Sequence, residues 1–487
     1  MLSLALRNIS QILDQISDPI SQFLKNADAI IFYSIGGDQG IPLIVLWLII
    51  GGLFFTIRMQ FINIRAFKHA IDIILGKYDN PNDEGEVSHF QALATALSGT
   101  VGLGNIAGVA IAISLGGAGA AFWMTIAGFL GMTTKFVECT LAQKYRIVKP
   151  DGTIAGGPMY YLSIGFADLG QKKLGEILAG MFALFNIFGV LGSSSIFQSN
   201  QSQVVVANVL PFFAEQSWLY GIILVLIVGS VIIGGIQRIA GVAAAIVPVM
   251  CGIYFLAALW VILANFTAIP HAFMTIIHSA FAPQAVAGGF VGAVVQGFRR
   301  ATFSNEAGLG LAAIAHAAAK TDQPIREGIV ALLEPFIDTI VICNMTALVV
   351  VITGAYNNPD FANFGGAELT LAAFTTAINW FPIVFAICVF LFAFSTIISS
   401  SYYGEVCWQY LFGDRSLIIY KLLLLVGVFL GAISNPEAII KFSDALKITL
   451  AFPSLLGAYF LCGKVAKDLE NYMKHLHKKQ IISVNQP

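Results

Sequence analysis

Two stretches of this sequence place glycines together with small polar or charged side chains inside otherwise apolar surroundings. Residues 97–108 carry serine, threonine and asparagine between four glycines. Residues 297–310 carry Arg299, Arg300 and Glu306 together with three glycines. A glycine costs about 1 kcal/mol relative to alanine in a helix interior, so a continuous helix is disfavoured over the first stretch. Both stretches are predicted to interrupt the helices that contain them.

An interrupted helix offers backbone groups that a continuous helix would use internally. Free N–H groups at the N-terminal end of a half-helix suit a carboxylate, and free carbonyls at a half-helix C-terminal end suit a small cation. A site of this kind can hold a zwitterion and a cation together. The alternative is that the glycines only allow close packing between helices. For Arg299, Arg300 and Glu306 the alternatives are a charge network that braces the second stretch and contact with a proton or a substrate.

The composition of the chain indicates which elements carry these stretches. It has 487 residues, of which 57% are hydrophobic and 11% are charged, and its mean hydropathy is +0.81. Soluble domains have about 25% charged residues, so this chain cannot cover a surface that faces water. A net charge of −1 gives no reason to expect a nucleic acid as partner. The composition therefore predicts an all-α polytopic protein with the lipid bilayer as its surroundings.

Apolar runs long enough to cross a bilayer recur along the chain. A spanning helix needs roughly 20 mostly apolar residues, whereas the strands of a closed barrel alternate in polarity over ~10 residues. The runs here are continuous, which favours helices. Eleven are predicted, at about 41–57, 91–115, 120–143, 178–207, 219–236, 242–265, 287–316, 328–353, 370–401, 417–433 and 444–462.

Each unusual stretch lies in the first helix of a block of five. The blocks are 91–265 and 287–462, and because five is odd they have opposite orientations in the membrane. An inverted repeat with a broken first helix in each half is typical of one large class of transporters. Lysine and arginine are concentrated in alternate loops, which predicts an outside N-terminus and a cytoplasmic C-terminus. The remaining predicted units are an interfacial N-terminal segment at 1–40, an extra transmembrane helix at 41–57 and a cytoplasmic tail at 463–487.

Four motifs in a fixed order are distinctive. They are Ser98-Gly-Thr-Val-Gly-Leu-Gly-Asn-Ile-Ala-Gly108, Gly156-Gly-Pro-Met-Tyr-Tyr161, Phe303-Ser-Asn-Glu-Ala-Gly308, and Phe394-Ser-Thr-Ile-Ile398 followed by Tyr402-Tyr-Gly-Glu405. In these motifs the chain resembles the alanine or glycine:cation symporter family, over about residues 40–465. The resemblance implies the LeuT-type fold of the APC superfamily, a 5+5 inverted repeat with one extra N-terminal helix. It also implies sodium-coupled uptake of small neutral amino acids across the bacterial inner membrane.

The resemblance extends to the ligands of the site. It implies that the backbone N–H groups of Leu103 and Gly104 meet the substrate carboxylate. It also implies a main sodium site, for which the alternative is that the hydroxyls bond back to their own helix. The sodium ligands implied are the carbonyls of Ser98 and Val101 and the hydroxyls of Ser395 and Thr396.

A possible second sodium site would use Thr100, Asn105 and Asn344. A hydrogen bond between helices explains Asn344 as well. Gln198 is expected to face the bound amino acid, with packing between helices as the alternative. The residues expected around the substrate are Thr100, Gly102, Leu103, Gly104, Gln198, Phe303, Ser304, Ile397 and Ser400.

One family position differs here. After residues 396–398, alanine-type members of the family usually carry Gly-Trp, and this chain carries Ser399-Ser400. Replacing the tryptophan removes an apolar wall of about 150–250 Å² and adds a hydroxyl. The hypothesis is a substrate that is longer and more polar than alanine, such as glutamine or asparagine.

The sequence also bears on other classes of function. It contains no Walker-type phosphate loop, so no ATP-driven step is expected. No nucleophile–base pair or metal cluster is apparent, and neither an enzyme nor a cofactor is predicted. Sodium is the expected coupling ion, with proton coupling as the alternative and a channel as a remote one. The sequence leaves the oligomeric state open.

Overall fold

The computed structural model describes residues 33–35, 40–282, 289–361, 364–378, 380–434 and 446–484. Helices dominate it. Eleven helical segments of the described chain match the predicted spans, and we number them α1 to α11. They are α1 Leu43–Arg58, α2 His89–Thr100 with Gly104–Gly116, α3 Ala120–Lys144, α4 Lys172–Val209, α5 Ser217–Ile232, α6 Gly235–Ala264, α7 Gly289–Asn305 with Ala312–Ala317, α8 Pro324–Ile352, α9 Pro382–Phe412, α10 Leu417–Ile433 and α11 Ala451–Val484.

Short elements connect these helices. Two antiparallel strand pairs form, Ser34–Ile35 with Ile41–Pro42 and Ile147–Val148 with Ile154–Ala155. The connecting α-helices are Ile62–Arg65, Phe67–Ile74, Pro158–Ala167, Phe212–Glu215, Ile269–Phe281 and Ala367–Ala377, and the 3₁₀ turns are Phe266–Ala268, Ala355–Asn357, Pro359–Phe361 and Asp414–Ser416.

Length and apolar character make most of the eleven segments suitable for crossing a bilayer. Seven continuous helices qualify within the described chain, and the bent α2 makes an eighth. The helices α1 and α5 are apolar but have only 16 residues each. Several helices expose large apolar side chains on the outside of the protein, such as Leu226 of α5 and Leu256 of α6. The helices α3 and α9, in contrast, are mostly buried. The protein is therefore polytopic, with α3 and α9 near its centre.

The ninth predicted span is wrong in its limits. The prediction at 370–401 merges the connecting helix Ala367–Ala377 with the first part of α9. Ile378 leaves the helical conformation with φ −136° and ψ 93°, and helical structure resumes at Pro382, the first residue of α9. Proline has no N–H to continue a helix but is well suited to its first turn. The break carries apolar residues such as Phe381, so hydropathy does not reveal it.

The last helix also extends further than predicted. Its predicted limit is residue 462, and α11 continues to Val484. Beyond the apolar part, the helix carries alternating charges, including the neighbouring pair Glu470 and Lys474. The predicted cytoplasmic tail at 463–487 is thus largely a continuation of α11. The predicted segment at 1–40 lies almost entirely outside the described residues.

Candidate functional site

The helix α2 is broken at the predicted position. Its first half ends at Thr100, Val101 leaves the helical region with ψ 87°, and the second half starts at Gly104 with a π-helical turn. The two halves differ in direction by 51°. Two peptide N–H groups at the break are bound by side chains. Gly102 donates to Oδ1 of Asn105 at 2.9 Å, and Leu103 donates to Oε1 of Gln198 at 3.1 Å.

The helix α7 is broken as well. Its first half ends at Asn305 and helical structure resumes at Ala312. Between them Glu306, Gly308 and Gly310 have φ of 58°, 89° and 74°. Glycine adopts such angles without strain, whereas a glutamate there is uncommon. The interruption predicted from glycines and charges is therefore confirmed in both helices.

The two breaks lie against each other and against α4 and α9. A Cβ on Gly104 would lie 3.1 Å from Cα of Ser304, and a Cβ on Gly102 would lie 2.4 Å from Oγ1 of Thr396. A side chain at Gly102 would therefore displace Thr396, and one at Gly104 would press on the backbone of α7. The same Cβ on Gly102 would lie 3.2 Å from Nε2 of Gln198. Four helices thus converge on the peptide groups of the α2 break.

The residues expected to bind sodium gather at one side of this break. Oγ of Ser98 donates to the carbonyl of Ser395 at 2.8 Å. Oγ of Ser395 donates to the carbonyl of Phe392 in its own helix. This bond is the alternative to sodium binding that the sequence analysis gives for Ser395. Oγ1 of Thr396 is buried and has no hydrogen-bond partner among the described residues. A buried hydroxyl with free lone pairs beside the break of a helix fits a small hard cation.

A buried carboxylate that the sequence analysis did not select lies at the meeting point of α2, α7 and α8. Asp338 of α8 accepts from Nδ2 of Asn105 at 2.6 Å and from Oγ of Ser304 at 3.0 Å. It also accepts from Oγ1 of Thr339 at 2.7 Å. An acidic residue in the apolar run 328–353 is the signal that would have identified it, because ionisable groups inside spans are costly and usually functional.

The structure does not bring Asn344 to the other two residues of the possible second sodium site. Oδ1 of Asn344 accepts from Oγ1 of Thr125 on α3 at 2.9 Å. Nδ2 of Asn344 donates to the carbonyl of Ile340 in its own helix. Thr100 donates to the carbonyl of Ala96. This arrangement favours the interhelical hydrogen bond for Asn344, and Asp338 takes the place beside Asn105.

The carbonyl end of the first half of α7 is bound by an ammonium group. Nζ of Lys447, in the turn before α11, donates to the carbonyl of Phe303 at 2.8 Å and pairs with Oε1 of Glu306 at 2.9 Å. The ammonium also lies 4.5 Å from the centre of the Phe303 ring. The Phe303 ring also packs edge-to-face with Phe197, with ring centres 5.3 Å apart. In the sequence, Lys447 was recognisable only as a lysine inside a span.

The remaining predicted residues also lie in the interior. Ile397 and Ser400 are buried in α9, and Oγ of Ser400 has no hydrogen-bond partner within the described chain. The guanidinium of Arg300 is buried 5.8 Å from the centre of the Phe303 ring. The site as a whole offers peptide N–H groups, peptide carbonyls and hydroxyls at one level of the molecule. Such groups are suited to binding a zwitterion and a cation.

Comparisons with known proteins show which family the chain is similar to. The sodium:alanine symporter family matches residues 29–486. The sodium/alanine symporter AgcS of Methanococcus maripaludis is 40% identical over 432 residues, which cover 88% of this chain and 94% of the relative. The probable sodium/glutamine symporter GlnT of Bacillus subtilis is 33% identical over 435 residues, covering 89% of this chain and 88% of the relative.

The fold has a counterpart among solved structures. The crystal structure of MhsT in complex with L-phenylalanine superimposes with a TM-score of 0.52 at 13% identity, covering 77% of this chain and 88% of that one. The chain has the LeuT-type fold, an all-α fold of polytopic membrane proteins. It is a transporter and not an enzyme. Because the family matches nearly the whole chain, this protein belongs to the sodium:alanine symporter family.

Proposed function

We propose that this protein imports a neutral amino acid together with sodium. The observation that carries the proposal is that two broken helices lie against each other. Peptide groups at the breaks form hydrogen bonds with side chains from other parts of the chain. The peptide N–H of Leu103 is bound by a carboxamide oxygen, and the carbonyl of Phe303 is bound by an ammonium. An amino acid carries the same two kinds of group, a carboxylate oxygen and an ammonium. It can therefore replace Gln198 at the first position and Lys447 at the second.

Sodium is proposed to bind where the hydroxyl of Thr396 meets the α2 break. The carbonyls of Ser98 and Val101 and the hydroxyl of Ser395 would complete its ligands. A sodium ion here would tie the first half of α2 to α9, since Ser98 already hydrogen-bonds to Ser395. Ion binding would then fix the break in α2 and prepare its N–H groups for the carboxylate. This order of events explains coupling without any ATP hydrolysis.

The driving force is the sodium gradient. One charge that crosses 100 mV releases about 2.3 kcal/mol, which is enough to concentrate an amino acid about fiftyfold. Transport then proceeds by alternating access, in which one group of helices moves against the other around the fixed site. We place the protein in the bacterial inner membrane with its C-terminus in the cytoplasm, because lysine and arginine favour that side. The repeats are proposed to be 91–265 and 287–462, as the sequence analysis gives them.

The substrate is proposed to be alanine, glycine or a longer polar amino acid such as glutamine or asparagine. Ser400 is buried and its hydroxyl is free of partners in the described part of the chain, which suits a polar side chain of the substrate. Competition against labelled glutamine distinguishes these possibilities. If only alanine and glycine compete, the longer substrate is excluded. Ser400→Trp should shift preference towards small amino acids, and an unchanged preference would show that Ser400 does not line the pocket.

Uptake into proteoliposomes tests the proposal as a whole. A panel of amino acids is offered with an inward sodium gradient, and again with the gradient replaced by choline. We expect saturable uptake that depends on sodium. Uptake that responds only to a proton gradient would establish proton coupling in place of sodium. Flux that does not saturate would indicate a channel.

A further inference from the structure

A groove lined by basic side chains lies where the last turn of α1 meets the extension of α11. It has a volume of about 380 Å³ and lies on the side of the protein proposed to be cytoplasmic. Its basic side chains are Arg58 at the end of α1, Arg65 in the short helix that follows, and Lys467 and Lys474 of α11. Among the described residues that line the groove, Glu470 alone is acidic. The groove therefore carries an excess of positive charge.

The spacing of residues along α11 creates this groove. Gly463, Ala466, Lys467, Glu470 and Lys474 all line it. Residues three and four apart share one face of a helix, so these five form a single face of α11. A Cβ on Gly463 would meet no atom within 4 Å. The small residues of this face thus leave open space beside the lysines.

An unusual turn brings Arg65 to the same groove. Gln60 and Phe61 directly after α1 both have a φ of 55°, which is uncommon for residues other than glycine. Nη1 of Arg65 donates to Oε1 of Gln60 at 3.1 Å, so the arginine is held against this reversal of the chain. Backbone strain of this kind persists where surrounding contacts maintain it, and it is frequent where a ligand binds.

Most of the positive charge in the groove is not compensated by the protein. Lys474 pairs with Glu470 at 2.6 Å. Arg58, Arg65 and Lys467 have no ion pair within the part of the chain that the structure describes. Because like charges repel each other, an anion in the groove would stabilise the arrangement.

A second groove on the same side has the opposite arrangement. It is lined by Lys144, Arg326 and Asp468, among others. Lys144 pairs with Asp468 at 2.5 Å, and Arg326 lies 3.5 Å from Asp322. The basic groups there already have carboxylate partners. Uncompensated positive charge is therefore a property of the groove between α1 and α11 and not of this side in general.

Apolar side chains stand beside the basic groove. Ile57, Phe61 and Ile64 are 66%, 47% and 63% exposed. One turn before the end of α1, Phe54 packs against Tyr459 of α11, with ring centres 5.3 Å apart. Basic groups next to exposed apolar groups fit the boundary between lipid headgroups and acyl chains. A small soluble anion would use the charges but not the apolar surface.

We propose that this groove binds the headgroup of an anionic phospholipid from the surrounding membrane. The guanidinium groups of Arg58 and Arg65 would donate to the phosphodiester oxygens, and Lys467 would add a further positive charge. The acyl chains would lie along the exposed surface at Ile57. A zwitterionic lipid also carries a phosphate, but its ammonium would be repelled by the basic groups. The groove is therefore selective for a headgroup with net negative charge.

A lipid in this position would connect two helices that enclose the α7 break. A Cβ on Gly308 would lie 2.9 Å from Leu48 of α1 and 3.4 Å from Leu455 of α11. A ligand that binds only the folded protein raises its stability. We therefore expect the anionic lipid to raise the Tm of the protein in detergent.

Native mass spectrometry of the full chain in a nonionic detergent measures the binding directly. Phosphatidylglycerol and phosphatidylcholine with the same acyl chains are titrated in parallel, and the midpoint concentrations of the lipid-bound form are compared. We expect phosphatidylglycerol to bind at a midpoint roughly thirtyfold lower. The double variant Arg58→Gln, Lys467→Gln should lose this preference and the rise in Tm, because each basic side chain near an anionic headgroup contributes about fivefold to binding.

A matched control removes the same charge elsewhere on the same side. Lys172 and Lys173 are exposed at the start of α4, away from the groove. The double variant Lys172→Gln, Lys173→Gln should bind phosphatidylglycerol as the unmodified protein does. An equal loss of binding in this control would show general attraction by charge and would overturn a site in the groove.

The remaining outcomes also decide the proposal. Equal midpoints for the two lipids overturn it, and so does a preference that Arg58→Gln, Lys467→Gln retains. Displacement of the lipid by millimolar inorganic phosphate would show a site for a free anion instead of a lipid. If the double variant fails to fold, the exposed Lys467→Gln alone decides, with an expected rise in midpoint of about fivefold. These measurements do not involve uptake, so they are independent of the proposed function.

Discussion

At the scale of single residues, the peptide N–H of Leu103 has the clearest requirement. It needs an acceptor at all times, because a buried donor without a partner costs about 1–3 kcal/mol. Gln198 provides that acceptor when no amino acid is bound. The sequence suggested that Gln198 faces the substrate, and the structure adds that it occupies the position proposed for the carboxylate. The two roles are compatible only if Gln198 moves when the substrate arrives.

This leads to a prediction for Gln198→Glu. A carboxylate accepts from a peptide N–H roughly twice as strongly as an amide oxygen, and its charge would repel the substrate's own carboxylate. We expect the KM for the amino acid to rise at least about tenfold, a change that corresponds to ~1.4 kcal/mol. Uptake at a range of amino acid concentrations measures it. Gln203→Glu on the same helix serves as control, since Gln203 bonds to Phe213 away from the site.

A second residue prediction concerns the coupling ion. Thr396→Val keeps the shape of the side chain and removes the buried hydroxyl beside Gly102. We expect the sodium concentration for half-maximal uptake to rise about tenfold, with maximal uptake restored at high sodium. Ser401→Ala on the same helix should leave the sodium dependence unchanged, because the Ser401 hydroxyl donates to the carbonyl of Ile398 in its own helix. An unaltered response to sodium in Thr396→Val would exclude Thr396 as a ligand.

At the scale of elements, the breaks depend on positions that tolerate only glycine. Gly310 has a φ of 74°, and a Cβ there would lie 2.6 Å from Cγ of Pro158 and 2.8 Å from Oγ of Ser454. The strain of the backbone costs roughly 1–2 kcal/mol, and the clash adds to it. We therefore expect Gly310→Ala to lower the Tm by several degrees and to reduce uptake strongly.

The control for Gly310 separates backbone strain from the clash. Gly117 has nearly the same φ, 72°, and a Cβ there would meet no atom within 4 Å. Gly117→Ala should therefore show the strain alone, with a smaller fall in Tm and with uptake preserved. Equal effects of the two variants would mean that contact with the connecting helix Pro158–Ala167 does not matter for the α7 break. Thermal unfolding in detergent and uptake in vesicles provide the two measurements.

The sequence predicts helices and their breaks better than it predicts contacts between residues far apart in the chain. Glycines and mid-span charges were enough to predict the breaks in α2 and α7, because these residue types are costly inside a membrane helix. Hydropathy was not enough at Ile378, where an apolar connection hides the gap before α9. The contacts of Asn105 with Asp338 and of Phe303 with Lys447 join residues far apart in the chain, and no local pattern specifies them. The break in α2 and its proximity to α9 were therefore predictable, but the contacts of Asp338 on α8 and of Lys447 before α11 were not.

At the scale of the whole molecule, polar chemistry is confined to the interior. Large apolar side chains of α5, α6 and α10 point outward, while Glu327, Glu334 and Lys135 are enclosed. On the side at Asp79 the ends of the two broken helices are held together. Val87, just before α2, pairs with Ala319, just after α7, as an isolated β-bridge. Arg146 also binds the carbonyls of Ala319 and Thr321 there. Opening towards this side, which is proposed to be cytoplasmic, therefore requires these contacts to separate.

The self-occupied site has a consequence for the turnover of the protein. After releasing its cargo, a carrier must reorient empty, and bare peptide groups would make that passage through the low-dielectric interior slow. If the substrate binds as proposed, Gln198 and Lys447 refill the vacated positions, so the unloaded form crosses with its polar groups satisfied. Net accumulation should then run nearly as fast as one-for-one exchange, and a comparison of the two rates in proteoliposomes checks this.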